Sequence, residues 1–359
     1  MLSWIRSVST RLNRKFRRNR DESLPFNTED MSRLNSVSPR CLHKNDKRLI
    51  QILLAAACFS VFLQKTIVEV DPSIAIRRSE AIMNARVFFT PNHTADVGDH
   101  DTTVVTAFFD IGPYVTRNKF FQFAERFEFL ENPLIVFTDS EPFATHMQRI
   151  RNSTVHRTRI VIIDRNSSWA FKLKDSVENI FSNNMFPKSL PNTETADYAC
   201  AQFAKYDVLA RAARDNFFNS KYFAWVDIDY FRERELSAKF YLTRPPDFNE
   251  NQVAVTLINS TLTMSAQPEM IFKNSLVWVE GGLTFGKQKV ILKFEKTFKS
   301  AVKYFISKGL ANTDQQVTYA MYSKEGRRTL NPDVQLQIYR PFSEGSWYYL
   351  GELMTHEMS

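Results

Sequence analysis

Glycine is scarce in this chain, at nine residues in 359. An all-β sandwich or barrel turns its many short strands on glycine-rich hairpins, so that architecture is disfavoured from the start. Cysteine is scarcer still: Cys41, Cys58 and Cys200. Only Cys200 lies in the part of the chain that reads as globular, so no intrachain disulfide is expected there and the core must be self-sufficient. Cys200 itself reads as a small buried hydrophobe. There is no Cys/His cluster with metal-ligand spacing, no phosphate-binding glycine loop and no serine or cysteine hydrolase motif. Internal repeats and low-complexity tracts are missing too. Acidic balance is also absent, since the formal net charge is +8. That charge is local: residues 1–48 hold 12 Lys/Arg against 5 Asp/Glu, which leaves about +1 for everything after them. A basic tail of this kind gives a nucleic-acid reading of the body no support.

What the chain has is apolar and aromatic content, 43% and 13%, enough to bury a real core. Its longest apolar run is LIQILLAAACFSVFL, residues 49–63, which follows the basic clusters RLNRKFRRNR and KNDKR. Fifteen helical residues span about 22 Å, against about 30 Å of hydrocarbon. Extending the run to residue 70, with Lys65 and Glu69 snorkelling, lengthens it enough for a thin bilayer. With the positive charge on its N-terminal side, it reads as an uncleaved signal anchor with the N-terminus cytosolic and the body lumenal. Four N-glycosylation sequons, at Asn92, Asn152, Asn166 and Asn259, all follow the run and none precedes it. The expected organisation is a basic cytosolic tail (1–48), an anchor (49–70), a lumenal stem (71–101), a globular domain (102–351) and a short tail (352–359).

Inside the globular stretch, TTVVTAFFD, NPLIVFTD, RIVIID and YFAWVDID are short continuous apolar runs, each ending in aspartate. Runs of this kind suit strands buried on both faces, as in parallel sheets. Between them lie helix-like segments, of which ADYACAQFAKYDVLARAARDNFF is the clearest. Farther on, NQVAVTLIN and SLVWVEGGLTFG read as strands and KQKVILKFEKTFKSAVKYFISKGL as a long amphipathic helix. Alternation of this kind predicts an α/β domain, in which ligands bind beyond the carboxyl ends of the strands. A row of strand-ending aspartates is what such a rim looks like.

The run KYFAWVDIDYFR carries the sharpest signal. Asp227 and Asp229 are at i and i+2, on one side of an extended strand. Two anions that close raise each other's pKa unless a cation lies between them. A hard divalent ion such as Mn²⁺ or Mg²⁺ would do so and could also grip a diphosphate. The dehalogenase-type phosphatases also place D-x-D after a strand, but they require a following glycine where this chain has Tyr230 and Phe231. An alternative without chemistry is a solvated strand end.

The blocks TTVVTAFFDIG, LENPLIVFTDSE, FNSKYFAWVDIDYFR, VEGGLTFGKQKVILKFEKTF and TDQQVTYAMY, in this order over residues 102–322, resemble the HtrL/YibB family, read as glycosyltransferases of GT-A architecture. The resemblance implies a mixed, mostly parallel sheet flanked by helices. It implies transfer of a sugar from a nucleotide-diphosphate donor, with UDP as the expected carrier, to a glycan or protein acceptor. It implies Mn²⁺ or Mg²⁺ on Asp227 and Asp229, although Asp229 stands where that family commonly has glycine. Thr106, Phe108 and Asp110 would hold the nucleoside and Lys205 a phosphate, while Gly281 and Gly282 would let donor or acceptor approach the backbone. Asp314, in TDQQ, and Glu280 are the candidate bases; Thr313 or Asp314 equally suits a helix N-cap. No histidine matches the C-terminal metal ligand of some GT-A families, since His356 lies in the expected tail. The location that follows is a single-pass type II protein of the Golgi or endoplasmic reticulum membrane. Self-association as a homodimer is left open. The competing expectation is a lumenal protein of the same fold that serves other transferases as a non-catalytic partner.

Overall fold

The computed structural model describes residues 85–89, 101–112, 117–233, 238–342 and 346–358. The expected anchor (49–70), the cytosolic tail and Asn92 lie outside the described residues, and no helix among those described is long and apolar enough to cross a membrane.

Among the described residues eight strands form one sheet: β1 (Ala85–Phe89), β2 (Thr102–Phe108), β3 (Leu134–Thr138), β4 (Thr158–Ile163), β5 (Tyr222–Val226), β7 (Gln252–Thr256), β8 (Leu283–Lys287) and β9 (Gln335–Tyr339). Their spatial order is β1-β4-β3-β2-β5-β8-β7-β9. The central block β4-β3-β2-β5 is wholly parallel, β7 and β9 form a further parallel pair, and β1 and β8 run antiparallel to their neighbours. The short strands β6 (Phe240–Leu242) and β10 (Thr355–Glu357) pair separately.

Period-2 alternation divides the strand residues between two cores. Val105, Ile135, Phe137, Phe223 and Trp225 belong to one apolar cluster, whereas Val104, Leu134, Val136, Tyr222 and Ala224 belong to the other. Both faces are covered by helices: α1 (Arg117–Ala124), α2 (Glu141–Ile150), α3 (Lys174–Phe181), α4 (Ala196–Asp215), α5 (Pro268–Lys273), α6 (Gln288–Ser307), α7 (Asp314–Tyr322), α8 (Lys324–Leu330) and α9 (Tyr349–Met354). Residues of α3, α4, α6 and α7 complete the first cluster, and those of α1, α2 and α9 the second. The chain is thus a mixed α/β fold around a mostly parallel sheet. Burial on both faces is why the strands read as unbroken apolar runs.

The helix α4 carries most of the first core. Thr195 caps it by accepting from the Tyr198 amide at 3.2 Å, and it stops at Asn216, whose φ of 39° is left-handed. Cys200 is fully buried in it, as expected, and burial pushes its thiol up to about 12.

Two details depart from the sequence-based expectation. The stretch expected as stem contains β1, which adds an antiparallel edge beside β4. The expected tail is not loose either: β10 pairs with β6, and His356 stacks on Tyr241 at 5.6 Å between centroids. The partner of each segment lies far away in sequence, so neither pairing shows in the local pattern.

Candidate active site

The sheet order reverses between β2 and β5. From β2 the chain steps outward through β3 to β4, then α4 carries it back to β5 on the other side of β2. In an open parallel sheet the loops part at such a reversal and leave a crevice at the carboxyl ends of the strands. Here it is a cavity of about 490 Å³ whose lining includes Lys205, Asp227, Asp229, Glu280, Gly281 and Asp314. Four separate segments deliver these groups, which is how a sequence separation of 109 positions, from Lys205 to Asp314, collapses into one site. A smaller aromatic cavity of about 90 Å³, walled by Phe108, Phe120, Trp225 and Ile228, adjoins it and shares Lys205, Tyr198 and Gln202.

Its centre is Lys205. The Lys205 ammonium, only 8% exposed, donates to Asp227 Oδ2 at 3.0 Å and to the Gly281 carbonyl at 3.4 Å, and lies 3.6 Å from Asp314 Oδ2. Burial alone would discharge it, but Asp227 and then Asp314 more than offset that, so it remains a firm cation. The other oxygen of Asp227 accepts from Trp225 Nε1 at 2.7 Å. Trp225 was not singled out from sequence, although the same-face rule for i and i−2 on a strand points to it.

Asp314 sits at the first position of α7, and Thr313 before it forms a capping box with Gln316. The two readings of TDQQ are therefore compatible: Thr313 is the cap and Asp314 faces the cavity. The Asp314 carboxyl is 1% exposed and its Oδ2 has no hydrogen-bond donor. Burial, reinforced by Asp227 and only partly offset by Lys205, pushes it up to about 6. One ammonium serves two carboxylates, and the nearer one, Asp227, takes most of it.

Glu280 is engaged differently. Its carboxylate accepts from the amides of Gly282 and Leu283, closing the turn that leads into β8. Burial first and Asp227 second hold its pKa well above the usual carboxylate range. The glycines allow a close approach here: a Cβ on Gly281 would lie 2.3 Å from Asp314 Oδ2 and one on Gly282 would lie 2.3 Å from Glu280 Oε1, so either substitution would displace a cavity carboxylate.

Asp229 also faces the cavity, paired to Arg232 at 2.6 Å, and burial followed by the Asp227 charge raises its pKa. Of the other aspartate-ended strands, Asp139 Oδ1 accepts from the Asp110 amide at 2.8 Å and its Oδ2 pairs with Arg165 at 3.2 Å, while Asp164 caps a short turn by accepting from the Asn166 amide. Those ends are tied into structure. Thr106 is buried in β2, away from both cavities, and Phe108 is packed among Phe120, Phe121 and Phe143 at the wall of the smaller one. Asn152 and Asn166 are exposed, whereas Asn259 is half-buried with its Oδ1 accepting from Thr261.

A divalent cation can be tested against this donor set. Among the described residues no three Asp, Glu, His or Cys side chains converge as a ready-made cage. Mg²⁺-type sites, however, use only one or two protein carboxylates, with substrate phosphate and water completing the shell. Asp227 and Asp229 supply such a pair. The cavity moreover holds four carboxyl groups against Lys205 and Arg232, and the pKa values of Asp229, Glu280 and Asp314 are raised by burial first and then by the neighbouring Asp227 charge. The residues fit a hard cation.

Residues 100–331 match the HtrL_YibB family, described as "Bacterial protein of unknown function". The chain belongs to that family. A curated relative, Protein HtrL of Escherichia coli (strain K12), is 25% identical over 271 residues, covering 69% of this chain and 90% of its own length. The family segment includes Lys205, Asp227, Asp229, Glu280–Gly282 and Asp314, whereas the cavity-lining pair Trp347 and Tyr348 lies beyond it.

Proposed function

We propose that this HtrL_YibB family member transfers a sugar from a nucleotide-diphosphate donor to an acceptor hydroxyl. A fold alone does not specify a reaction, so the reading rests on the site. The observation that carries it is the buried Lys205–Asp227–Asp314 constellation at the switch-point cavity. Asp227 and Asp229 would hold Mn²⁺ or Mg²⁺, which when bound would supply positive charge against the departing diphosphate. Lys205, already a cation at the cavity wall, adds to that charge. The aromatic annex around Phe108 and Phe120 suits a flat base, and Gly281 and Gly282, both in the cavity lining, put no side chain of their own between a sugar and the backbone.

In an inverting course the acceptor oxygen bonds to the sugar's anomeric carbon, the bond from that carbon to the phosphate oxygen breaks, and the acceptor proton passes to a base. Asp314 suits this role better than Glu280. Its Oδ2 has no donor and its pKa of about 6 lies near neutral operating pH. Glu280 spends both oxygens on backbone amides and serves to shape the turn. In the same proposal the activity belongs to a type II protein of the Golgi or endoplasmic reticulum with a glycan or glycoprotein acceptor, a reading supported by the apolar run at 49–63 and the sequons.

One observation favours a second reading, a non-catalytic partner of other transferases. Asp227 is already satisfied by Trp225 and Lys205, and Asp229 by Arg232. Calorimetric titration of UDP into the full-length protein, with and without Mn²⁺, separates the two. Binding that requires Mn²⁺ and disappears in Asp227→Asn is expected of the transferase. Silence toward UDP, GDP and CMP by a folded protein would sink it and leave the partner reading.

A further inference from the structure

Charge is distributed unevenly over the body, and one helix with its two flanking residues carries a net excess of six positive charges. Residues 49–359 hold 35 basic and 34 acidic side chains, yet residues 287–308 alone contain seven lysines and one glutamate. Without that segment the rest of 49–359 is net acidic by five charges. The lysines are ordered. On α6 the exposed positions Lys289, Lys293, Lys296, Ser300 and Lys303 follow one another at i, i+4, i+7, i+11 and i+14, a single stripe along the helix. The opposite face, with Val290, Phe294, Phe298, Ala301 and Phe305, is buried in the core. Lys289, Lys293, Lys296 and Lys303 form no ion pair among the described residues. The nearby acids are engaged elsewhere: Glu295 and Asp207 face Lys299 and Arg214 on the inner flank, and Lys287 pairs with Glu250. Self-repulsion along such a row is a standing cost that a bound polyanion removes.

We propose that this lysine ridge docks a linear acidic glycan, the polymer to which the sugar is added. The clause about the sugar rests on the transferase reading; the docking itself does not. Three observations select the occupant. A rise of 1.5 Å per residue spaces successive lysines about 5–10 Å apart along a line, a repeat that suits a polymer with an acidic group on each sugar or every second one. A membrane is a poorer fit, because interfacial helices insert apolar side chains and none of the exposed large hydrophobic residues among those described lies on α6. The ridge also runs toward the site: Lys308, just past the end of α6, precedes Asp314 by six residues, so the backbones of those two are at most about 20 Å apart. A chain held along α6 and past its C-terminal end has its next sugars at the rim of the cavity.

Lysine footprinting on the full-length protein resolves the surface by position, which matters because residues 1–48 are basic as well. Limited acetylation would be followed by peptide mass spectrometry, with and without a heparin-derived oligosaccharide. Lys289, Lys293, Lys296 and Lys303 should become protected as a group. The variant with all four changed to Gln, all on the solvent face, should fold normally and bind the oligosaccharide about tenfold or more weakly, and the fourfold change to Arg should restore binding. Unchanged labelling of the four lysines would overturn the proposal. So would equal protection by phosphatidylserine-containing vesicles or by polyglutamate, which would make the ridge a membrane or acidic-protein contact. UDP titration of the same samples keeps the two claims apart, since loss of nucleotide binding with protection intact would remove the transferase and leave the docking ridge.

Discussion

Replacing Lys205 by Met should expose how the buried constellation is held together. In metal-free buffer the ammonium is the counter-ion of Asp227 at 3.0 Å and of Asp314 at 3.6 Å, with the Lys205 and Asp314 side chains 8% and 2% exposed. Methionine fills similar volume without charge, so the loss is electrostatic. Removing one member of a buried ion pair costs about 3–5 kcal/mol, because the remaining charge stays desolvated. The pH dependence fixes the sign. Asp314 already has a folded-state pKa of about 6 against an ordinary 3.8, so its contribution to stability falls as pH rises through that interval. Without Lys205 the folded pKa climbs further and the falling window extends above neutrality. The penalty should therefore be largest near pH 8 and smallest near pH 5, where Asp314 takes up a proton. Urea unfolding followed by tryptophan fluorescence at the two pH values measures it, and the double change Lys205→Met/Asp314→Asn should recover at least half of the loss at pH 8. A cost below about 1 kcal/mol at pH 8 would fall in the range of a surface pair and refute the buried cation. Equal cost at both pH values would refute the role of Asp314.

Two further outcomes test the scaffold around the site. Glu295, on α6, has its pKa pushed up to about 7 by burial and then by Asp207. Its ionisation therefore lowers stability as pH rises from about 4.5 to 7, and Glu295→Gln should raise stability at pH 8 by about 1–3 kcal/mol, with the two unfolding curves converging near pH 4.5. Asn132 joins the start of β2 to β6, donating to the carbonyls of Thr102 at 3.1 Å and Leu242 at 2.9 Å and accepting from the Leu242 amide at 2.6 Å. Asn132→Ala leaves three buried backbone groups unpaired and should cost about 2–4 kcal/mol, with faster hydrogen exchange at the Leu242 amide as its local signature.

The sheet and the site were legible from the sequence to different depths, for one physical reason. A strand buried on both faces writes its burial into five or six consecutive residues, so β2, β3, β4 and β5 are visible locally. Lys205, expected from the family resemblance to hold a phosphate, is the centre of the site. Pairing, by contrast, is written nowhere locally. That is why residues 85–89 read locally as stem and His356 as tail, although each needs only a distant strand to lie beside. The four aspartate-ended strands show the same limit most sharply. Their sequences are alike, yet Asp139 and Asp164 are spent on Arg165 and on a turn, while Asp227 meets a buried ammonium. What separates them is position in the sheet. Asp139 and Asp164 end strands on the outward side of β2, away from the reversal, whereas Asp227 ends the strand across it, where α4 passes close enough to bring in Lys205 and where β8 and α7 converge. Bordering the switch point is not enough, since β2 borders it too and Asp110 lines neither cavity; a strand-ending carboxylate in this sheet should be judged by whether a cation is folded against it, as Lys205 is against Asp227.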